Sequence, residues 1–491
     1  MDKIVDSISK DNKRKYLLDK SCSNNSYLHS IRELNQNKLE KRQIIKSAVS
    51  LYSFSPRTVF HPTTEAEISQ IIQTAARQNL KVRTIGSLHS ATPIPATDGV
   101  CIVLDRYKNL VQVEGSLVTV QAGMKICELN EILAAHDLAL PTMGTIAQQT
   151  VSGAISTGTH GGSLEHKSLS GYVRALRLIR ADGSILQLDR SQDIFNAVAV
   201  SMGLLGVIST VTFECVPAFS LQSQVISLSM DAFLQQFDEI NQNNKYVDIR
   251  YSPIADKVQI VLINPTEKPL EKNGGWHPVQ TTKIEKKVTN FINKSAQRLF
   301  ENYKLNWLQR LCLERYDRTI YAATFGRSDF VLTHFDATST DIATNEECTD
   351  FEPVGDMEIA VPYDLARAAL SCIRNYFYKV QKYPTMHIHI RCTAADDFWL
   401  SPAYKQAVCW LEFWEYPHTG KFFNQMIELL KPFKLRCHWG KQIFVKQKYL
   451  QQQYEKWHDF IRLREEWDSN KMFFNACLDS YFSPSIGLCK S

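Results

Sequence analysis

The chain has 491 residues, 44% of them hydrophobic and 22% charged, with a formal net charge of +5. That length suits two or three domains and a sizeable buried core. The small charge excess excludes a strongly electrostatic nucleic-acid binder, and no run of ~18 apolar residues offers a membrane-spanning helix. The 12 cysteines are scattered. No Cys-x-x-Cys and no Cys/His set at zinc spacing occurs, so no metal site is predicted. The start, Met1-Asp2-Lys3-Ile4, leads into charged residues rather than the apolar core of a signal peptide. Reduced thiols and a cytoplasmic location are expected. A peripheral membrane contact stays open, although no compact basic amphipathic helix argues for it.

Residues 1–50 are expected to form a polar N-terminal extension rich in Lys, Asn and Ser. Folding should begin at Arg57-Thr58-Val59-Phe60, a strand stopped by Pro62. Thr64 and Glu67 form a capping-box pair. Ile68, Ile71, Ile72 and Ala75 then share one helical face. Lys81 to Ile85 reads as a second strand. It runs into Gly86-Ser87-Leu88-His89-Ser90, a loop of small and hydroxyl residues. Strand, helix, strand and such a loop make a phosphate-cradling arrangement, because successive backbone N–H groups form a concave anion site and Gly permits close approach. A plain turn with a solvated His89 is the structural alternative. Val100 to Leu104 reads as a buried strand. Leu110 to Val113 and Leu117 to Val120 flank a Glu114-Gly115 turn. Cys127 to His136 reads as a helix.

A second glycine-rich stretch runs from Met143-Gly144-Thr145 into Val151-Ser152-Gly153-Ala154-Ile155-Ser156-Thr157-Gly158-Thr159-His160. Its hydroxyls and backbone groups suit a wall lying against a flat cofactor with polar edges. It is neither a Walker loop nor a dinucleotide fingerprint. Ala175 to Arg180 and Ser184 to Leu188 flank Asp182-Gly183, a hairpin signal. Met202 to Thr212, including Gly206-Val207-Ile208, is a glycine turn leading into a β-branched strand. From Leu221 the pattern changes. Strands are expected at Asp248 to Tyr251, Lys257 to Leu262, Asp356 to Ile359, His387 to Cys392 and Ala407 to Tyr416. Glu267 to Gln280 reads as a loop, and Lys283 to Leu313 as a helical insertion that packs, or else faces a membrane or partner.

These glycine-rich stretches, in this order, resemble the FAD-binding domain of the vanillyl-alcohol oxidase type. More narrowly, the chain resembles the sugar-lactone oxidase branch, which includes gulonolactone and arabinonolactone oxidases. Arg391-Cys392-Thr393, Asp396-Asp397, Leu400-Ser401-Pro402 and Arg436-Cys437-His438-Trp439-Gly440-Lys441 carry the C-terminal likeness. The resemblance implies an α+β fold: a two-lobed FAD-binding domain at 51–219 and an antiparallel-sheet substrate domain at 220–437. The insertion at 283–313 belongs to the latter, and 438–491 would return to the FAD domain.

The resemblance also implies FAD bonded covalently to His89. Arg83, Thr84, Ile85, Gly86, Ser87, Leu88, Ser90, Gly144, Thr145, Ser152, Gly153, Ser156, Thr157, Gly158, Thr159, His160, Gly206, Val207, Ile208 and His438 would surround it. Lys441 would either stabilise negative charge on the cofactor or, with a lowered pKa, accept the substrate hydroxyl proton. Arg391 would orient substrate. His387, His389 and Arg391 alternate on one predicted strand and share a face. The family carries a carboxylate two residues before the arginine, where this chain has His389. Histidine can exchange a hydrogen bond there but cannot supply the carboxylate's charge. Glu358 matches an acidic family position and reads as a structural ion pair. Trp439 reads as packing.

The implied reaction is oxidation of an aldono-1,4-lactone, with O2 as acceptor and H2O2 as product. Oxygen as acceptor rests on Gly144, a position where relatives that act as dehydrogenases carry alanine. The alternative for Gly144 is a turn residue needing positive φ. Rival functions are an alditol oxidase, a dehydrogenase feeding a quinone or cytochrome, and a non-catalytic flavoprotein acting as an interaction module.

Overall fold

The structure is a computed structural model describing residues 43–269, 330–333, 354–381, 384, 387–415 and 419–483. The helix expected over 283–313, most of the loop before it and most of the N-terminal extension lie outside the described residues.

A small parallel sheet takes the order β1-β3-β2, from β1 (Thr58–Phe60), β2 (Val82–Ile85) and β3 (Val100–Val103). Helix α1 (Glu65–Arg77) crosses between β1 and β2 and buries Ile68, Ile71, Ile72 and Ala75. Its capping box forms as the sequence implies. Thr64 Oγ1 accepts from Glu67 N at 3.2 Å, and Glu67 Oε2 accepts from Thr64 N at 3.3 Å.

An antiparallel sheet of five strands follows, from β4 (Leu110–Glu114), β5 (Leu117–Gln121), β6 (Val173–Ile179), β7 (Ile185–Asp189) and β8 (Val207–Glu214), in the order β7-β6-β8-β5-β4. The helix expected from Cys127 forms as α2 (Ile126–Ala134). The stretch expected to lie against the cofactor forms a short helix, α3 (Val151–Thr157). Val151, Ala154 and Ile155 recur at helical spacing and are buried, and Thr150 Oγ1 caps the first turn by accepting from Gly153 N at 3.4 Å. Burial on one face outweighed the low helix propensity of Ser, Gly and Thr.

The largest sheet is antiparallel and eight-stranded: β9 (Ser220–Ser229), β10 (Tyr246–Ser252), β11 (Lys257–Pro265), β12 (Phe330–Thr333), β13 (Gly355–Pro362), β14 (Ile388–Thr393), β15 (Val408–Glu415) and β16 (Arg436–Cys437). Its order is β12-β9-β11-β10-β14-β15-β13-β16. Alternation gives it two unlike faces. Ile249, Ile390, Leu411, Phe413, Met357 and Ile359 form an apolar side. Helices α4 (Met230–Gln242), α5 (Ala366–Val380) and α6 (Lys421–Leu430) pack on this sheet, with Phe413 against Phe422 of α6. The opposite face carries Asp248, Arg250, His389, Arg391, Glu412, Glu358 and Asp356, aligned by register: Arg250 opposite His389, His389 opposite Glu412, Glu412 opposite Glu358. No described helix is long and apolar enough to cross a membrane.

Candidate active site

The loop after β2 is tightly held. A Cβ on Gly86 would lie 2.0 Å from Thr150 Oγ1, so only glycine lets the strand pass the cap of α3. Leu88 holds φ 57°, an uncommon conformation for a branched side chain. Ala48 N donates to its carbonyl at 3.0 Å, and Ala91 N donates to Gly440 O at 2.8 Å. His89 is thereby fixed between the N-terminal residues and the Gly440 turn. Burial, with the Lys125 and Lys441 charges, pushes the His89 imidazolium down to a pKa of about 4, so the ring is neutral at physiological pH.

Beside this loop lies a cavity with about 1100 Å³ of empty space, part of it open to solvent. Of the residues singled out from sequence, Arg83, Thr84, Ile85, Gly86, Ser87, Leu88, His89, Ser90, Ser152, Gly153, Ser156, Thr157, Gly206, Val207, Ile208, His438 and Lys441 line it. Gly144, Thr145, Gly158, Thr159, His160, His389 and Arg391 do not. Val82, Ile94, Pro95, Ile146, Gln149, Thr150, Met202, Gly203, Gly440 and Phe473 also line it and were not among the expected cofactor contacts. Phe473 comes from near the chain's end, where Val82 N donates to Met472 O at 2.9 Å. Arg83 is a brace more than a ligand contact. Its guanidinium donates to Phe473 O and Met202 O, both at 2.7 Å.

The wall suits a flavin nucleotide. Small residues and hydroxyls surround the space, and the buried Thr84 Oγ1 lacks a hydrogen-bond partner. A polar-edged ligand would satisfy it, whereas leaving it unpaired costs about 1–3 kcal/mol.

Lys441 joins this cavity to the polar sheet face. Its Nζ lies 2.5 Å from Asp356 Oδ2 and 2.6 Å from Glu412 Oε1. Burial opposes its charge, but the two carboxylates outweigh burial and hold its pKa above the usual lysine range. The lowered pKa that a neutral lysine base would need is therefore not found. Burial, aided by Glu412 and Glu358 and opposed by Lys441, pushes Asp356 up to about 7.

Arg391 donates to Glu358 Oε1 at 2.8 Å, which makes Glu358 the ion-pair partner expected from sequence. The His160 ring stacks on Trp410 at 3.7 Å, with Nε2 3.3 Å from Glu358 Oε1. His438 Nδ1 accepts from Gly440 N at 3.0 Å, and burial holds the His438 pKa down at about 3. Trp439 is buried and donates to Leu400 O at 2.6 Å, consistent with packing.

His389 is enclosed within the sheet face, 4% exposed, between Glu412 Oε2 (3.0 Å from Nδ1) and Asp248 Oδ2 (2.6 Å from Nε2). The charge expected to be missing at this place is present. Glu412 supplies a carboxylate from the neighbouring strand, 3.8 Å from Arg391. Sequence reasoning missed Glu412, Asp248 and Asp356. The available signal was an acidic residue spaced by two from other polar or aromatic residues inside an otherwise apolar strand, as in Trp410-Leu411-Glu412-Phe413-Trp414.

The model of the D-arabinono-1,4-lactone oxidase family matches residues 211–481. The chain belongs to that family. An FAD-binding domain model matches residues 56–189, the part containing the His89 loop and α3. The chain is 29% identical to L-gulonolactone oxidase of Scyliorhinus torazame over 448 residues, 88% of this chain and 96% of that protein. It is equally 29% identical to L-gulono-1,4-lactone dehydrogenase of Mycobacterium tuberculosis, over 86% of this chain and 95% of that one. Cholesterol oxidase from Brevibacterium sterolicum shares the fold, with a TM-score of 0.76 at 14% identity over 90% of this chain and 97% of that chain. The protein is an FAD-dependent oxidoreductase with the vanillyl-alcohol oxidase-type fold.

Proposed function

We propose that the protein oxidises a CH–OH group of a sugar-1,4-lactone of the gulono- or arabinono-type, with O2 as final acceptor and H2O2 as product. The observation that carries this reading is the position of Lys441, which lines the glycine-rich cavity while its ammonium is anchored in the charged sheet face. The family membership and the two gulonolactone enzymes matched over nearly their whole length support the substrate class. Residues 51–219 would hold the cofactor, 220–437 would present the substrate face, and 438–491 would close the cavity.

FAD bound in the cavity would supply the two-electron acceptor. The residues from Thr84 to Ser90, with Ser152, Gly153, Ser156 and Thr157, would hold it. His89, neutral and at the wall, would be the residue bonded covalently to the flavin. Lys441, kept as an ammonium by Asp356 and Glu412, stabilises negative charge developing at the reacting groups. Arg391, braced by Glu358, orients the substrate oxygens. Peroxide release by the purified protein against a panel of aldonolactones and alditols tests the reading. Turnover of alditols alone would replace lactone by polyol.

A second reading, a dehydrogenase passing electrons to another acceptor, draws support from the mycobacterial relative's name. Fast reduction of artificial acceptors beside slow peroxide release would favour it.

A further inference from the structure

We propose that Lys441, Glu412, His389 and Asp248 form a proton relay that carries the substrate's hydroxyl proton from the cavity wall across the sheet face to solvent. The inference rests on the placing of Lys441 at the reacting site argued above. Oxidising CH–OH to C=O removes a hydride, which takes the electron pair to the cofactor, and one proton from oxygen. That proton needs an acceptor, and the groups next to Lys441 along the sheet face, Glu412 and His389, are only 7% and 4% exposed.

The structure holds one unbroken chain of hydrogen-bonding groups. Lys441 Nζ is 2.6 Å from Glu412 Oε1, Glu412 Oε2 is 3.0 Å from His389 Nδ1, and His389 Nε2 is 2.6 Å from Asp248 Oδ2. The side chains at its two ends, Lys441 and Asp248, are each 19% exposed, and Glu412 (7%) and His389 (4%) form a buried bridge between them. The other carboxylate on Lys441, Asp356, is 17% exposed and hands on to no further side chain among the described residues, since its Oδ1 has no hydrogen-bond partner.

Four ionisable groups placed together inside a sheet are costly. Each buried ion carries a penalty of several kcal/mol unless paired, and apolar side chains would fold at least as well. An imidazole with a carboxylate on each nitrogen is suited to one task in particular, accepting a proton at one nitrogen and releasing it from the other. Arg391, 3.8 Å from Glu412, and Arg250, 3.3 Å from Asp248, keep both carboxylates ionised between transfers. Trp414 stacks beside the His389 ring, with centroids 6.1 Å apart, and holds its plane.

The steps balance. The Lys441 ammonium gives a proton to Glu412 as the substrate O–H bond breaks, and the hydroxyl proton takes the place vacated on Nζ, so Lys441 ends with its charge unchanged. Glu412 passes a proton to His389 Nδ1, His389 releases one from Nε2 to Asp248, and Asp248 yields it to water. One proton leaves the hydroxyl and one reaches solvent.

His389→Gln in the holoenzyme keeps a polar side chain but cannot shuttle protons. Stopped-flow flavin reduction, with whichever alcohol reduces the wild type fastest, should slow about tenfold or more. Added imidazole or another small buffer base should restore it in proportion to concentration, and the solvent deuterium isotope effect should rise. Asp248→Asn, at the far and partly exposed end, should give a smaller loss with the same buffer response. A slowed rate with no buffer rescue and no change in isotope effect in both variants would overturn the relay, leaving His389 a positioning residue. A raised KM with unchanged reduction rate would overturn it as well, by making His389 a substrate contact. A wrong lactone assignment shows separately, as a different best substrate for the wild type. A wrong placing of Lys441 shows as normal reduction in Lys441→Ala.

Discussion

His389 faces Glu412 across the antiparallel pairing of β14 with β15, and their side chains meet at 3.0 Å. The strand that carries Arg391 has a histidine where the resemblance implies a carboxylate, and the adjacent strand returns the charge one ladder position away. Cross-strand neighbours on one sheet face have Cβ atoms about 4.5–5.5 Å apart. A carboxylate moved from one strand to the other therefore stays within reach of the same arginine and lysine.

Covalent attachment is expected at His89. In wild-type protein precipitated with acid, yellow colour and flavin fluorescence should stay with the polypeptide. His89→Ala should release the flavin yet still fold, because Gly86, Leu88 and the Ala91–Gly440 contact hold the loop without the imidazole. Wild-type colour found only in the supernatant would refute the bond.

Lys441→Ala and Arg391→Ala should each slow flavin reduction by about a hundred- to ten-thousand-fold while leaving FAD bound. Lys441→Ala also strands the Asp356 and Glu412 carboxylates. Removing one partner of a buried pair costs about 3–5 kcal/mol, so this variant should melt well below the wild type. Unchanged stopped-flow reduction in both variants would remove these residues from the site.

Gly144 does not hold a positive φ, so a turn requirement does not explain the glycine. Space does: an added Cβ would lie 2.5 Å from the Thr159 methyl carbon. Gly144→Ala is expected to slow reoxidation of the reduced protein by oxygen, with little change in substrate reduction. Pairing it with Thr159→Ser removes the clashing methyl and keeps the alanine. If the double variant reoxidises as fast as the wild type, the effect of Gly144→Ala is distortion and not access of oxygen.

Asp356 gives a stability signature. Its folded pKa, raised to about 7, lies above the ordinary value of 3.8. Between those values the unfolded chain loses this proton and the folded chain keeps it, so stability falls as pH rises from about 4 to about 7. Asp356→Asn mimics the protonated carboxyl. The variant should match the wild type in acid and melt higher than it above pH 7. The depressed carboxyls of Asp248 and Glu412 act oppositely, adding stability that is lost in acid, and the substitution leaves them in place. An equal melting difference at pH 5 and pH 8 would contradict the raised pKa.

What the sequence determined by itself was local. The capping box of α1, the Asp182-Gly183 hairpin and the glycine loop carrying His89 depend on residues a few positions apart, whose geometry the backbone transmits directly. Strand alternation likewise showed that His389 and Arg391 share a face. Other features depended on the order in which strands pair and on where distant segments return. Arg83 spends its guanidinium on a carbonyl 390 residues away, and His389 takes a partner 141 residues away. Gly144 is tight only because Thr159 folds back over it. Val151–Thr157 turned helical because its apolar positions found a core to bury in. Alternation names the face a side chain occupies, but strand order chooses its neighbours, and the free energy of a buried charge is set almost wholly by those neighbours.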